Sequence, residues 1–449
     1  MKFIRMEIDV AKILASLAGI TVIVSVAASS CTEVGGESLP RAECSVKVDS
    51  VEPAQLQDGR VLTVDAYAVA QEGQQAIFTG ATGWAHQNGT SASSTKTFGF
   101  IRESHGHYLP IPLPPLRDQR DTAWDGRAVG DGEGGWHFIY GERQWSRDST
   151  PAHRAKRTLL WYSHLVGGAW RDSRVVAELD GASLSRLTNT GLVSLRDSVY
   201  LAVGNTTRVS RGGSASVETN GLVLIRFGVH GNELARQDTV HTTLMPQNVT
   251  TALRRDSITP VAYFTETAFY GNRNRPDALF MSSFTHSPEM TLVYADTSEY
   301  VTRNEVITSG NKTYVTMLKQ IAGKPLKHVV KVALDSAQKV VSESILAEHS
   351  SASVTGVLAL SQKYIVWAIP DDSLRNTIQF YVGDYVGAEK INTYDAHMLN
   401  FRPLLVRESD STFFFVTAGY KRSNSDSVVT TLFAHATLRC SDRVKRAID

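Results

Sequence analysis

The sequence predicts an all-β chain closed into a ring of seven sheets, a seven-bladed β-propeller with four antiparallel strands per blade. Three observations carry that expectation: an aromatic-rich strand that returns along the chain, an apolar strand that follows each return, and a nearly constant spacing. The first set reads Ala76–Thr79, Trp136–Tyr140, Val199–Val203, Val261–Phe264, Thr313–Met317, Tyr364–Trp367 and Phe413–Val416. The second reads Thr97–Phe100, Leu159–Tyr162, Leu222–Ile225, Ala278–Met281, His328–Val332, Ile378–Tyr381 and Val428–Phe433. Successive units start roughly 50–63 residues apart, the size of a repeated supersecondary unit.

The remaining strands of each unit follow from local pattern. Gly191–Leu195 and Val357–Leu360 precede polar turns, Arg196-Asp197-Ser198 and Ser361-Gln362-Lys363, whose residues tolerate the reversed backbone of a hairpin. Arg174–Leu179 and Lys339–Leu346 read as closing strands, which makes four per unit. Unit boundaries fall near 56–116, 125–180, 186–242, 249–298, 303–350, 352–397 and 400–441. Polar joints separate the units, and none is long enough to divide two domains. Six or eight blades remain open at this stage, with two stacked β-sandwiches as the rival fold.

Composition agrees with one large core: of 449 residues 42% are hydrophobic and 20% charged. A formal net charge of +1 argues against a dedicated nucleic-acid surface. Lys2, Arg5 and Lys12 precede an apolar run from Ile13 to Ala28, the pattern of a secretory signal. The run is shorter than the about 20 residues of a membrane span. The small residues ending at Ala28-Ser29-Ser30-Cys31 resemble a bacterial lipobox, with Ala28 where Leu usually stands. That resemblance implies lipidation of Cys31 after cleavage; the alternative is a plain signal cut near Ala28 with Cys31 as a free thiol. Thr32 after the cysteine resembles an outer-membrane sorting pattern. The expected organisation is a signal over 1–30, a lipidated tether over 31–43, a propeller over 44–441 and a tail over 442–449. The expected address is an exported outer-membrane lipoprotein, facing the periplasm or the cell surface.

Three cysteines are an odd number for an exported protein. With Cys31 assigned to lipid, Cys44 and Cys440 form one pair at opposite ends of the mature chain. In a closed ring both ends meet in one blade, so a Cys44–Cys440 bond would clasp it; two unpaired thiols are the alternative.

Loops between the second and third strands open on one face of a propeller. Several carry arginines beside aromatics, the groups that recognise carboxylates and sugars by forked hydrogen bonds and stacking. Glu142–Asp148, Asn205–Arg211, Glu266–Arg275 and Tyr420–Arg422 read as such loops, long in the first four units and short in the last three. Arg143, Trp145, Arg208, Arg273 and Tyr420 are the expected ligand contacts. A Glu, a Tyr and several arginines across such a face resemble a sialidase, which would imply a glycan-active hydrolase using Glu266 and Tyr270, with Glu142 and Asp372 as further carboxylates. The Ser-x-Asp-x-Gly-x-Thr-Trp box of sialidase blades is absent. Gly134-Gly135 before Trp136 and Tyr140 resembles one Kelch repeat but does not recur, and Trp124-Asp125 is likewise solitary. His105 and His107 lack further ligands nearby, and no zinc-type cysteine spacing appears, so neither a metal nor a cofactor is expected. The resulting expectation is a monomeric binding module for an envelope protein or glycan, held to the membrane by its lipid, with no nucleic-acid partner.

Overall fold

The structure, a computed structural model, describes residues 44–440 apart from 57–58, 60, 64–65, 88–89, 104–105, 118–121, 146–154, 181–189, 212–214, 230–235, 243–244, 254–258, 268–277, 286–287, 296–298, 310–311, 322–326, 350–355, 362–363, 372–376, 384–387, 396–403 and 423–426. The described residues form seven antiparallel sheets arranged as a β-propeller. The first described strand, β1 (Cys44–Pro53), belongs to the last blade. Blade 1 holds β2 (Val61–Thr63), β3 (Ala66–Glu72), β4 (Gln75–Gln87), β5 (Thr90–Arg102) and β6 (Tyr108–Ile111). Blade 2 holds β7 (Thr122–Gly130), β8 (Trp136–Trp145), β9 (Ala155–Val166) and β10 (Ala169–Asp180). Blade 3 runs β11 (Thr190–Leu195), β12 (Ser198–Arg211), β13 (Ala215–Gly228) and β14 (Arg236–Thr242). Blade 4 runs β15 (Met245–Leu253), β16 (Pro260–Thr267), β17 (Ala278–Ser283) and β18 (Thr291–Ala295). Blade 5 has β19 (Glu299–Ser309), β20 (Lys312–Ile321), β21 (Lys327–Leu334) and β22 (Val340–His349). Blade 6 has β23 (Gly356–Ala359), β24 (Ile365–Asp371), β25 (Thr377–Gly383) and β26 (Ala388–Asp395). Blade 7 joins β27 (Leu404–Arg407), β28 (Thr412–Arg422) and β29 (Ser427–Cys440) to β1.

The repeat read from the sequence is therefore the second and third strand of each blade. Second strands are apolar on both sides because each sheet packs against a neighbour on either face, so inward and outward side chains are both buried. Phe413, Phe414 and Phe415 are all fully buried. Phe414 faces blade 1 beside Phe78, whereas Phe413 and Phe415 face Phe380 of blade 6. Fully burying one such ring stabilises by about 1.5–3 kcal/mol before conformational entropy is set against it.

Packing closes the ring at every seam. Phe78, Phe100 and Tyr108 of blade 1 share a cluster with Leu404, Phe414 and Phe433 of blade 7. Blades 1 and 2 meet through Ile77, Phe98, Trp136 and Phe138. Further clusters join blade 2 to 3, 3 to 4, 4 to 5 and 5 to 6. Gly126 shows how tight these seams are: a Cβ there would lie 2.2 Å from Phe138 and 2.6 Å from Phe98.

The first and last described strands both belong to blade 7. Thr437 Oγ1 donates to Asp49 at 2.6 Å, and His435 meets Glu52 at 3.1 Å, so β1 runs antiparallel to β29. Cys44 and Cys440 are disulfide-bonded at the end of that pairing. After β1 the chain crosses to blade 1, where Leu56 bridges Tyr108.

Three readings of the loops need correction. Glu142–Trp145 and Asn205–Arg211 are paired strand rather than loop, as Arg143 opposite Thr158 and Arg208 opposite Glu218 show. Blade 7 also carries a long extension of this kind, through Tyr420 opposite Val429. Their polar composition reads as loop although the ladder continues.

Candidate functional site

Antiparallel order gives the ring two faces. Turns between first and second strands lie on one, the hairpin face; connections from second to third strands lie on the other, the loop face. The backbones of Arg143 and Trp145 (β8), Arg208 (β12) and Tyr420 (β28) all fall toward the loop-face ends of second strands, in blades 2, 3 and 7. Their side chains lie outside the described residues. Tyr270, Arg273 and Asp372 lie outside them entirely, as does Cys31.

Two of the predicted carboxylates can be placed. Glu142 is fully buried and accepts the Trp161 Nε1 hydrogen at 2.6 Å. It continues the Trp136–Phe138–Tyr140 side of β8, which faces blade 1. Glu266, also buried, continues the Ala262–Phe264 side of β16, which faces blade 3. The two groups thus occupy different seams, and the fold does not bring them together.

A concavity opens on the hairpin face, where the first strands of blades 6, 7 and 1 end. It encloses about 860 Å³ and is lined by Gln71 and Gln74, by Leu358 and by the Arg407–Ser411 turn. Its walls are held by short-range bonds. The Gln71 side chain donates to the Arg407 carbonyl and accepts the Arg407 N–H at 3.0 Å, so one amide ties blade 1 to blade 7. Ser409 Oγ accepts the N–H of Thr412 at 3.0 Å and of Ser411 at 3.2 Å, which fixes the turn. Arg407 pairs with Asp410 on the same turn, where both are well exposed. Arg407, Asp410 and the glutamines present donors and acceptors toward the opening.

Glu408 points the other way, into the seam. Arg102 Nη2 meets its carboxylate at 2.7 Å, while His435 Nδ1 lies 3.4 Å from the second oxygen. The His435 hydrogen bond, aided by Arg102, holds the Glu408 carboxyl below its usual range despite burial. The same bond, with Glu52 on the far ring nitrogen, raises His435.

Polar groups continue around the mouth into blade 2. His164 Nε2 meets Asp131 Oδ2 at 2.7 Å, and His137 Nδ1 meets the Tyr162 hydroxyl at 3.1 Å. The two imidazoles are cross-strand neighbours with ring centres 5.2 Å apart. Burial pushes Asp131 up, but the bond from His164 and the N–H groups of Glu133 and Gly135 outweigh it and leave the carboxyl low. Nearby Glu72 is raised by burial, with the Asp131 charge adding to the effect. Burial raises Tyr162 to about 12, so its hydroxyl stays protonated beside His137 Nδ1. None of Gln71, Glu72, Asp131, His137, His164 or Arg407 belongs to a local motif. They gather because the ring aligns hairpin turns of successive blades, and no spacing in the sequence marks them.

No protein-family model matches the chain. No curated protein matches it either. Among solved structures, the polysaccharide lyase Uly1 aligns at 9% identity and a TM-score of 0.48, over 83% of this chain and 89% of that one. The WD40 domain of SCAP from fission yeast aligns at 7% identity and a TM-score of 0.44, over 88% and 98%. A puromycin hydrolase aligns at 12% identity and a TM-score of 0.46, over 82% of this chain and 52% of the hydrolase. The chain thus spans about half the length of that hydrolase.

Proposed function

We propose that the ring is a binding module that takes a polar ligand, a glycan or a protein loop, at the hairpin-face mouth between blades 6, 7 and 1. The observation that carries this is the cavity of about 860 Å³ whose walls come from three blades and whose polar groups are fixed by bonds such as Gln71 to Arg407. Fixed donors and acceptors bind at a smaller entropic cost than mobile ones. Glu142 and Glu266 lie in separate seams and so do not form the carboxylate pair that most glycosidases use. The loop-face residues Arg143, Trp145, Arg208, Arg273 and Tyr420 are proposed as a second contact surface.

We propose in addition that the protein is exported and held at the outer membrane by lipid on Cys31. The Cys44–Cys440 bond supports an oxidising compartment. Two or more acyl chains give stable anchoring, since each buried methylene contributes about 0.8 kcal/mol. Metabolic palmitate labelling of wild type and Cys31→Ala tests the anchor; equal labelling, or none, ends it.

The binding face is tested by capture from envelope extract and on a glycan array. Arg407→Ala with Asp410→Ala is expected to lose the captured species, while an Arg143, Arg208 and Arg273 triple alanine variant weakens it less. Loss confined to the triple variant moves the site to the loop face. No capture by the wild type ends the binding reading.

A further inference from the structure

We propose that the crevice between blades 3 and 4, away from the channel mouth and independent of the reading above, is an oxyanion site. It takes a single carboxylate or sulfate group between Arg226 and Arg236.

The register places Arg226 of β13 directly opposite Arg236 of β14, with Leu224 opposite Asp238 one step further in. Strand alternation sends all four side chains to the same face, the continuation of the Leu222–Leu224–Val240 packing against Phe264 of blade 4. Like charges directly opposite destabilise a sheet. Asp238 offsets one of them, taking Arg236 in a fork at 2.9 Å to Nε and 3.4 Å to Nη2. Arg226 is held differently. It is exposed, its guanidinium lies 5.6 Å from the Tyr200 ring centre, and among the described residues no carboxylate is paired with it.

Space for a counter-charge exists beside it. A cavity of about 70 Å³ is lined by Leu224, Arg226, Arg236, Asp238, Phe284 and Thr285. That is several times the roughly 10–15 Å³ that one water needs and suits one tetrahedral or planar oxyanion. Two arginines against one aspartate leave this lining with a formal charge of +1. Phe284, set edge-on to Tyr200 at 5.4 Å, makes a firm wall. Apolar core behind the cavity lowers the local dielectric and strengthens attraction for an anion. A guanidinium fork matches two oxygens of a carboxylate or sulfate, and the Thr285 hydroxyl can donate a further bond.

Thermal denaturation of the full mature protein against sodium sulfate, sodium glucuronate and glucose tests the site, with sodium chloride at matched ionic strength as the reference. The expected result is a saturable rise in Tm with sulfate, glucuronate or both, and none with glucose. A response to both marks a general oxyanion site, whereas a response to glucuronate alone marks an acidic sugar. Arg226→Gln should leave the ligand-free Tm near wild type, because the side chain is exposed, and weaken half-saturation about tenfold or more. Arg226→Lys, which keeps the charge but loses the fork, should fall between. Asp238→Asn, which removes the competing carboxylate, should tighten it. No rise above the chloride reference, or the same response in Arg226→Gln as in wild type, overturns the proposal.

Discussion

Arg102 of blade 1 and Glu408 of blade 7 meet at 2.7 Å across the seam where the chain closes on itself. The guanidinium also lies 4.4 Å from the Phe414 ring centre, so the last seam joins charge pairing to aromatic packing. His435 extends the pairing from Glu408 to Glu52 on β1, the strand supplied by the opposite chain end.

This network makes ring closure sensitive to pH. His435 is raised above 6.5, so its contribution is complete below pH 6.5 and fades as pH rises through the folded value. Glu408 is held below 4.5, so its contribution is complete above pH 4.5 and fades as pH falls through the folded value. Both are in place between pH 4.5 and 6.5. The Tm difference between wild type and His435→Gln is expected to be largest near that window and to narrow toward alkaline pH. Glu408→Gln leaves Arg102 poorly paired in a mostly buried position and should cost on the order of 2 kcal/mol. A pH-independent His435→Gln difference would show that the imidazole charge is not used.

The Cys44–Cys440 bond ties the first strand to the last, so nearly the whole ring is the closed loop. Chain-entropy arguments give on the order of 5 kcal/mol for so long a loop, and measured gains are often smaller. Reductant should lower the Tm of the wild type but not that of a Cys44→Ser, Cys440→Ser variant. Equal sensitivity of both proteins to reductant would show that the clasp contributes nothing.

Blades 5 and 6 are joined by a buried hydrogen bond, Trp367 Nε1 donating to Thr316 Oγ1 at 2.8 Å. Thr316→Val keeps the shape and orphans the indole hydrogen, which should cost about 1–3 kcal/mol. Thr316→Ser restores the acceptor and loses one methyl group, about 1 kcal/mol. Denaturant titration of the two variants separates the contributions. A Val variant as stable as the Ser variant would mean that the bond is replaced from elsewhere.

Blade architecture was legible because second strands are buried on both sides: Ala202, Leu201 and Val203, or Phe413 through Phe415, leave no polar face to confuse the pattern. The strand extensions were less legible, since Thr206–Arg211 carries one apolar residue, Val209, and so shows no alternation. The hairpin-face mouth was not legible. Gln71 and Arg407 are 336 residues apart and meet through ring closure, and Asp131 and His164 meet because β7 and β9 flank β8. Gly134-Gly135, which resembled a repeat signature, belongs instead to the turn whose amides cap Asp131: the N–H of Gly135 reaches Oδ1 at 2.9 Å.

Glu142 separates a structural from a catalytic role for the loop-face carboxylates. It is fully buried and receives the Trp161 indole hydrogen at 2.6 Å, next to Tyr140, whose ring stacks on Trp161 with centres 6.2 Å apart. Glu142→Ala removes the acceptor and leaves a void between blades 1 and 2, which should cost about 2–5 kcal/mol. Glu142→Gln keeps one acceptor oxygen at similar volume, so a loss of about 1 kcal/mol is expected. The near-ultraviolet circular dichroism of the Ala variant should change where Trp161 contributes, and that of the Gln variant should stay close to wild type. Ligand capture by Glu142→Gln is expected to match wild type, because the carboxylate faces the seam and not the mouth. If the Gln variant stays folded but loses a glycosidase activity that the wild type displays, Glu142 acts on substrate and the seam reading of this residue falls.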